Sequence, residues 1–223
     1  MHLAPEKATK VDLSYNFSSQ AVNLFVNGYL SHTTDYISQM TKMDNERLIT
    51  TYANADSDIK RGIEVSLKVT PAKWMNFSVG ANTYYVTTEG VFEGMHIDNQ
   101  GWTNNSNLLL DFVPWKGGDL QLQYFITTPQ YYPQLTTSLT HQMNMGIKQR
   151  FMKGAMTASI LVTDVLNTAK WDVWSNNSLF NLKNSSTNKS RMIWLGVSYN
   201  FNSFKQKSNQ KAETDRSLIK LGL

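Results

Sequence analysis

The chain contains no cysteine, so it has no disulfide, no thiolate nucleophile and no cysteine-bound zinc. No stretch approaches the ~20 consecutive apolar residues that a spanning helix needs. A helical membrane protein is thereby excluded. A β-barrel is not, because its strands need apolar side chains only at every second position. Proline is scarce, with five in 223 residues. The four histidines, His2, His32, His96 and His141, are scattered and have no metal-ligand spacing. No triad or paired acid and base stands out, so the sequence points to neither an enzyme nor a cofactor. Residues 1–6 lack the apolar core of a signal peptide, so any leader is expected upstream.

Charge of one sign is also short. The net charge is +4, and three of those four charges fall after Phe201. There Lys205, Lys207, Lys211, Arg216 and Lys220 face only Glu213 and Asp215. The rest is nearly neutral, which argues against a nucleic-acid partner. Residues 202–223 are expected to form a solvated charged tail.

What is abundant is period-two alternation. In 59–69, Ile59, Ile63, Val65, Leu67 and Val69 share one side, with Arg61 the exception. Lys60, Gly62, Glu64, Ser66 and Lys68 take the other. A helix here would carry charge all round; a strand has one apolar and one polar face. Similar runs fall near 10–17, 22–31, 76–85, 107–112, 120–127, 142–151, 156–163 and 193–201. They give about nine strands of roughly ten residues, the length of a tilted membrane strand. The fold class predicted is all-β, an antiparallel up-and-down transmembrane barrel segment over residues 1–201.

Connections alternate between short (18–20, 71–73, 114–118, 152–154) and long (35–51, 88–101, 128–140, 169–190). An outer-membrane barrel has tight periplasmic turns and long outer loops. The last strand then ends at the periplasmic side, leaving the tail in the periplasm. Gly90, Gly94, Gly117 and Gly118 read as turn glycines. Trp74 and Trp115 flank short turns, level with Phe17, Phe151 and Phe201, as an interface girdle requires. An odd number of strands cannot close an up-and-down antiparallel sheet, so the chain is expected to be the C-terminal part of a larger barrel.

Several motifs carry a family resemblance. Leu3-Ala4-Pro5-Glu6-Lys7-Ala8-Thr9 with Asp12-Leu13-Ser14-Tyr15 resembles a strand entry of TonB-dependent receptor barrels. Its departures are Ala8, Asp12 and Ser14. Arg61-Gly62-Ile63-Glu64 resembles that family's G-x-E strand start. Asp164-Val165-Leu166-Asn167-Thr168 resembles the stretch that ends its penultimate strand. Residues 191–201, closing on Tyr199-Asn200-Phe201, resemble its terminal strand. The charged tail is similar to that of an outer-membrane β-barrel family common in Bacteroidetes. The resemblance implies a barrel of 22 strands with an N-terminal plug, of which this chain supplies roughly the last nine strands.

It also implies partners. These are outer-membrane lipid, the missing barrel strands and plug, the TonB energy-coupling complex through that missing region, and the barrel assembly machinery. The implied location is the outer membrane of a Gram-negative bacterium. The implied function is import of a bulky nutrient. The alternative is a passive channel or a structural outer-membrane protein. Candidate ligand-binding residues in the long loops are Trp102, Tyr131, Tyr132, Trp171 and Trp174, set among Asn104, Asn105, Asn176 and Asn177. Aromatic faces stack on flat ligands while amides hydrogen-bond them. Lys60, Glu64, Lys68, Lys148 and Arg150 are expected to face the lumen. Asp56, Asp58 and Asn54 are a weaker cation candidate, without a calcium-loop motif.

Overall fold

The computed structural model describes residues 3–45, 47–175, 180–187 and 189–201. The charged tail of 202–223, and Asn176 and Asn177, lie outside the described residues. Twelve strands form: β1 (Lys7–Ser18), β2 (Val22–Asp44), β3 (Arg47–Ala72), β4 (Met75–Phe92), β5 (Met95–Phe112), β6 (Gly118–Thr127), β7 (Thr136–Thr137), β8 (Thr140–Phe151), β9 (Met156–Thr163), β10 (Lys170–Trp174), β11 (Lys183–Thr187) and β12 (Met192–Tyr199). Nine of them make one antiparallel sheet, in the order β1-β2-β3-β4-β5-β6-β8-β9-β12. The sheet is open, with β1 and β12 at its edges. A second sheet has the order β11-β10-β7.

The nine strands and the short turns fall where the alternation predicts. Two of the four long loops do not. Strands β2 and β3 pair continuously to Asp44↔Arg47, and β4 and β5 to Phe92↔Met95. The second of these hairpins closes through Glu93 (φ 50°) and Gly94 (φ 78°), the pair of positive φ angles that a tight hairpin turn requires. Segments 35–51 and 88–101 are therefore hairpin extensions. Neither of their faces meets lipid, so they lack the alternation lipid imposes, but their threonines and aromatics still favour strand. From Arg61 to Arg47 the ladder rises about 46 Å at ~3.3 Å per residue.

The register assigns the faces. Lys60, Glu64 and Lys68 share one face with Asn82 on β4, Gln123 on β6, and Lys148 and Arg150 on β8. The segment 128–137 folds over this face, which we call inner. The other face carries Ile63, Val65, Leu67, Val79, Leu122, Ile160, Leu195 and Val197, and none of them is buried. A soluble barrel would bury such a set; a membrane barrel turns it to lipid. Val65 lies between Val26 and Ala81 at the middle of this band.

The tips are held differently. Alternation slips by one residue between Ala55 and Asp58, which are both buried. The slip coincides with Asp35, at φ 53°. Above it the β2–β3 hairpin leaves the ladder of β4, whose last pair is Ser57↔Glu89. Met40, Ala53 and Ala55 then pack against Phe92, Met95 and Ile97 as a small apolar core. Lys42 and Glu93 pair at 2.6 Å across the same junction. Gly90, read as a turn residue, is instead where the hairpins cross. A Cβ there would lie 2.8 Å from the Asp56 nitrogen and 3.0 Å from the Ala55 Cα. Gly90→Val is expected to destabilise the stacked tips by about 1–3 kcal/mol through overpacking. Limited proteolysis would then cut within 36–56 and leave the lower strands intact; an unaltered cleavage pattern would contradict the crossing.

The resembling motifs have local structural roles. Glu6 Oε2 accepts from the Ile37 amide at 3.2 Å, just beyond the slip, on the β2 edge that β1 leaves uncovered. Ala4 exchanges two hydrogen bonds with the Asn54 side chain, at 2.9 and 3.0 Å. Gly62 leaves room for Tyr84, whose Cβ a Gly62 side chain would strike.

Candidate functional site

The inner face of β2–β4 carries an ion pair between a buried carboxylate and a half-buried lysine. Lys60 Nζ lies 2.9 Å from Asp58 Oδ2, and Thr88 Oγ1 donates to Asp58 Oδ1 at 2.8 Å. Asp58 is only 4% exposed, so both partners are needed to hold its charge there. The Lys60 ammonium also stands 5.6 Å above the ring of Tyr36. Burial pushes the Tyr36 phenol up from its ordinary range, and the nearby Lys60 charge only partly opposes this. Tyr36 is therefore a neutral donor at physiological pH.

Segment 128–137 roofs this pair. It leaves β6 and crosses the inner face toward β2. Pro129 O accepts from Thr103 Oγ1 at 3.0 Å, and Tyr132 O from Asn99 Nδ2 at 2.6 Å. The Tyr131 ring lies against Gly101, where any side chain would overlap it. At the far end Gln134 Oε1 accepts from the Thr41 amide at 2.6 Å, and Gln134 Nε2 donates to Thr41 O at 3.1 Å. Gln134 thus satisfies backbone groups on the uncovered edge of β2. Between roof and floor is a cavity of about 90 Å³, bordered by Tyr36, Asp58, Lys60, Tyr84, Tyr131 and Tyr132 among others. An apolar cavity of ~150 Å³ just admits benzene. This one holds a few waters or the edge of one flat polar group, and cannot enclose a bulky solute.

Three expected site residues, Tyr131, Tyr132 and Lys60, therefore meet here. Glu64 and Lys68 share the face further down β3. Lys148 and Arg150 lie on the same face at the short-turn end of β8, where Arg150 pairs with Asp119 at 3.1 Å. Trp102 is a correction. It belongs to β5, not to a loop, and stands on the outer face, opposite the neighbouring Thr103 that supports the roof. Trp171 and Trp174 lie in β10 and, three residues apart on one strand, project from opposite faces. They do not converge. Thr136 pairs with both Tyr131 and Trp174, so the small sheet continues from the roof. Asp56 is exposed and Asp58 is committed to Lys60, so the cation candidate does not assemble. No cluster of three metal-ligating side chains exists among the described residues.

Tyr36, Tyr84, Thr88 and Gln130 were missed as site residues. The available signal was Asp58-x-Lys60, an opposite-charge pair on one strand face, but only the unforeseen roof makes it a cleft.

A second polar centre lies after β9. Asp164 is fully buried and accepts from the amides of Thr168 (2.9 Å) and Ala169 (3.3 Å) and from Ser190 Oγ. Its own amide donates to Asn144 on β8 at 3.0 Å. Arg191 donates to the carbonyls of Asp164 and Val165. Asn167 takes φ 57°, a conformation asparagine tolerates, and Thr168 Oγ1 donates to His141 O at 2.8 Å. The Asp-Val-Leu-Asn-Thr stretch is thus a staple joining β8, β9 and the start of β12.

No curated protein and no solved structure matches the chain. A family model does, over residues 1–199, nearly the whole described barrel wall. Its setting is the outer membrane of a Gram-negative bacterium, which accounts for the exposed apolar face. The chain belongs to the outer membrane protein beta-barrel family.

Proposed function

We propose that the chain is the C-terminal wall of an outer-membrane receptor that imports a bulky nutrient with TonB-coupled energy. The observation that carries this reading is the open nine-stranded sheet with a polar inner face. Its edges, β1 and β12, expose backbone groups that lipid cannot satisfy. Further strands have to complete it, and barrels of such size enclose a lumen rather than a packed core. Lys60, Glu64, Lys68, Lys148 and Arg150 then line that lumen. The hairpin tips and the 128–137 roof stand at the outer mouth, where Tyr131 and Tyr132 meet solute first. The small cleft grips one group of a larger ligand. The charged residues 202–223, outside the described residues, belong to the periplasmic side in this reading. The strand-entry, staple and terminal-strand motifs support the receptor type through their resemblance. A plug and TonB contact belong to the completed protein, and the assembly machinery engages the terminal strand.

The inward roof favours a second reading, because a loop folded into the lumen narrows it without a plug. That would suit a passive channel. The test is uptake by cells carrying the full-length protein, before and after collapse of the inner-membrane energy source. Receptor function predicts that uptake stops on collapse. Uptake that continues unchanged would overturn it in favour of the channel.

A further inference from the structure

The outer face carries a second, unassigned feature near the outer mouth. One register row runs Val11↔Leu30↔Arg61↔Tyr85↔Trp102 across five strands. The Arg61 guanidinium lies 5.1 Å over the Tyr85 ring, and Tyr85 meets Trp102 edge-on at 5.5 Å. Tyr85 OH donates to Gln100 Oε1 at 2.9 Å, which fixes the ring. Trp102 is 64% exposed. Below the row lie Ile63, Val65 and Leu67. About ten residues further down come Pro71 and Trp74, the length of one tilted span. The row therefore sits at the outer membrane interface, opposite the Trp74 and Trp115 girdle, where amphipathic rings are stable.

Arg61 breaks the apolar alternation of β3 at this level. Among the described residues it has no carboxylate partner. His32 is its diagonal neighbour on β2, and Lys7 is the diagonal neighbour of His32 on β1. All three are exposed. No direct or diagonal cross-strand neighbour of Arg61 is an Asp or Glu; Glu89 and Asp98, which pair with each other, lie about 13 Å up their strands from the Arg61 row. A step of uncompensated basic side chains facing lipid at headgroup depth needs anions from the membrane itself.

We propose that Arg61, with His32 and Lys7, binds the phosphate of an outer-leaflet lipid headgroup, with Tyr85 and Trp102 packing on the lipid beneath it. A guanidinium held over an aromatic ring keeps N–H groups free at its edge, and phosphate accepts two of them in parallel. The proposal rests on the membrane setting of the family and not on nutrient import.

The test uses the full-length protein in detergent, incubated with bis-phosphorylated lipid A, with its dephosphorylated form, or with inorganic phosphate as competitor. Bound lipid is counted by native mass spectrometry. The phosphorylated lipid is expected to be retained about tenfold better than the dephosphorylated one, the effect of a hydrogen bond to a charged group. Arg61→Gln should lose about the same factor, while Lys116→Gln, at the opposite rim, should lose nothing. Equal retention of both lipids by the unaltered protein would overturn the proposal without relying on any variant. So would full retention by a folded Arg61→Gln protein. Displacement of the lipid by an equal concentration of inorganic phosphate would show a site for free anions instead.

Discussion

Val65→Arg is expected to destabilise the barrel wall by about 2–4 kcal/mol, the cost of an arginine facing lipid near the bilayer midplane. Val65 stands between Val26 and Ala81 at the centre of the apolar band, with Ile63 and Leu67 on either side along β3. No carboxylate is within its reach on that face, and the polar rows lie at the two ends of the span. Ser66→Arg is the paired control. Ser66 is the next residue and points to the polar inner face beside Gly80 and Phe25. There an arginine meets water, and the change should stay within about 0.5 kcal/mol. Denaturant unfolding in lipid vesicles reads both. Equal costs at the two positions would mean that the faces do not differ in solvent.

Asp164→Ala should cost about 2–4 kcal/mol, because it strands several part-buried donors worth ~1–3 kcal/mol each. The amides of Thr168 and Ala169 and the Ser190 hydroxyl all lose their acceptor. The effect carries a pH signature. Burial pushes the Asp164 carboxyl up, but the Ser190 hydroxyl, the two amides and the Arg191 charge outweigh it and hold the group below its ordinary value of 3.8. A carboxyl with a lowered folded value contributes its full stability above the ordinary carboxylate range. That contribution fades as pH falls through the lowered value. The gap between the native chain and Asp164→Asn should therefore be constant near neutrality and shrink below about pH 4. A gap that widens on acidification would contradict the staple.

Much of the wall was legible because lipid enforces alternation. Ile59 to Val69 shows it without coordinates, and so do the nine strands and their short turns. Above the membrane that constraint ends, and the sequence signal ends with it. Residues 35–51 and 88–101 alternate poorly because neither face meets lipid, so the sequence reads them as loops. The slip at Asp35 leaves no periodic trace. The roof was invisible because it depends on long-range partners, such as Gln134 with Thr41. Trp102 was misplaced for a related reason. With 88–101 read as loop, a tryptophan at its end looked like a ligand contact, whereas the ladder puts it at the lipid interface. The Asp164 motif could be matched to a family, but its role as a staple needed the positions of Asn144, Ser190 and Arg191.

The central claim is that one sheet separates lipid from water, with β3 alternating between them. The chain has no native cysteine, so single cysteines can be placed along 62–69 of the full-length protein and spin-labelled in lipid vesicles. Positions 63, 65, 67 and 69 should collide with lipid-soluble oxygen and be shielded from a water-soluble nickel chelate. Positions 62, 64, 66 and 68 should show the reverse. Uniform accessibility, or oxygen favouring the even positions, would contradict the barrel-wall assignment.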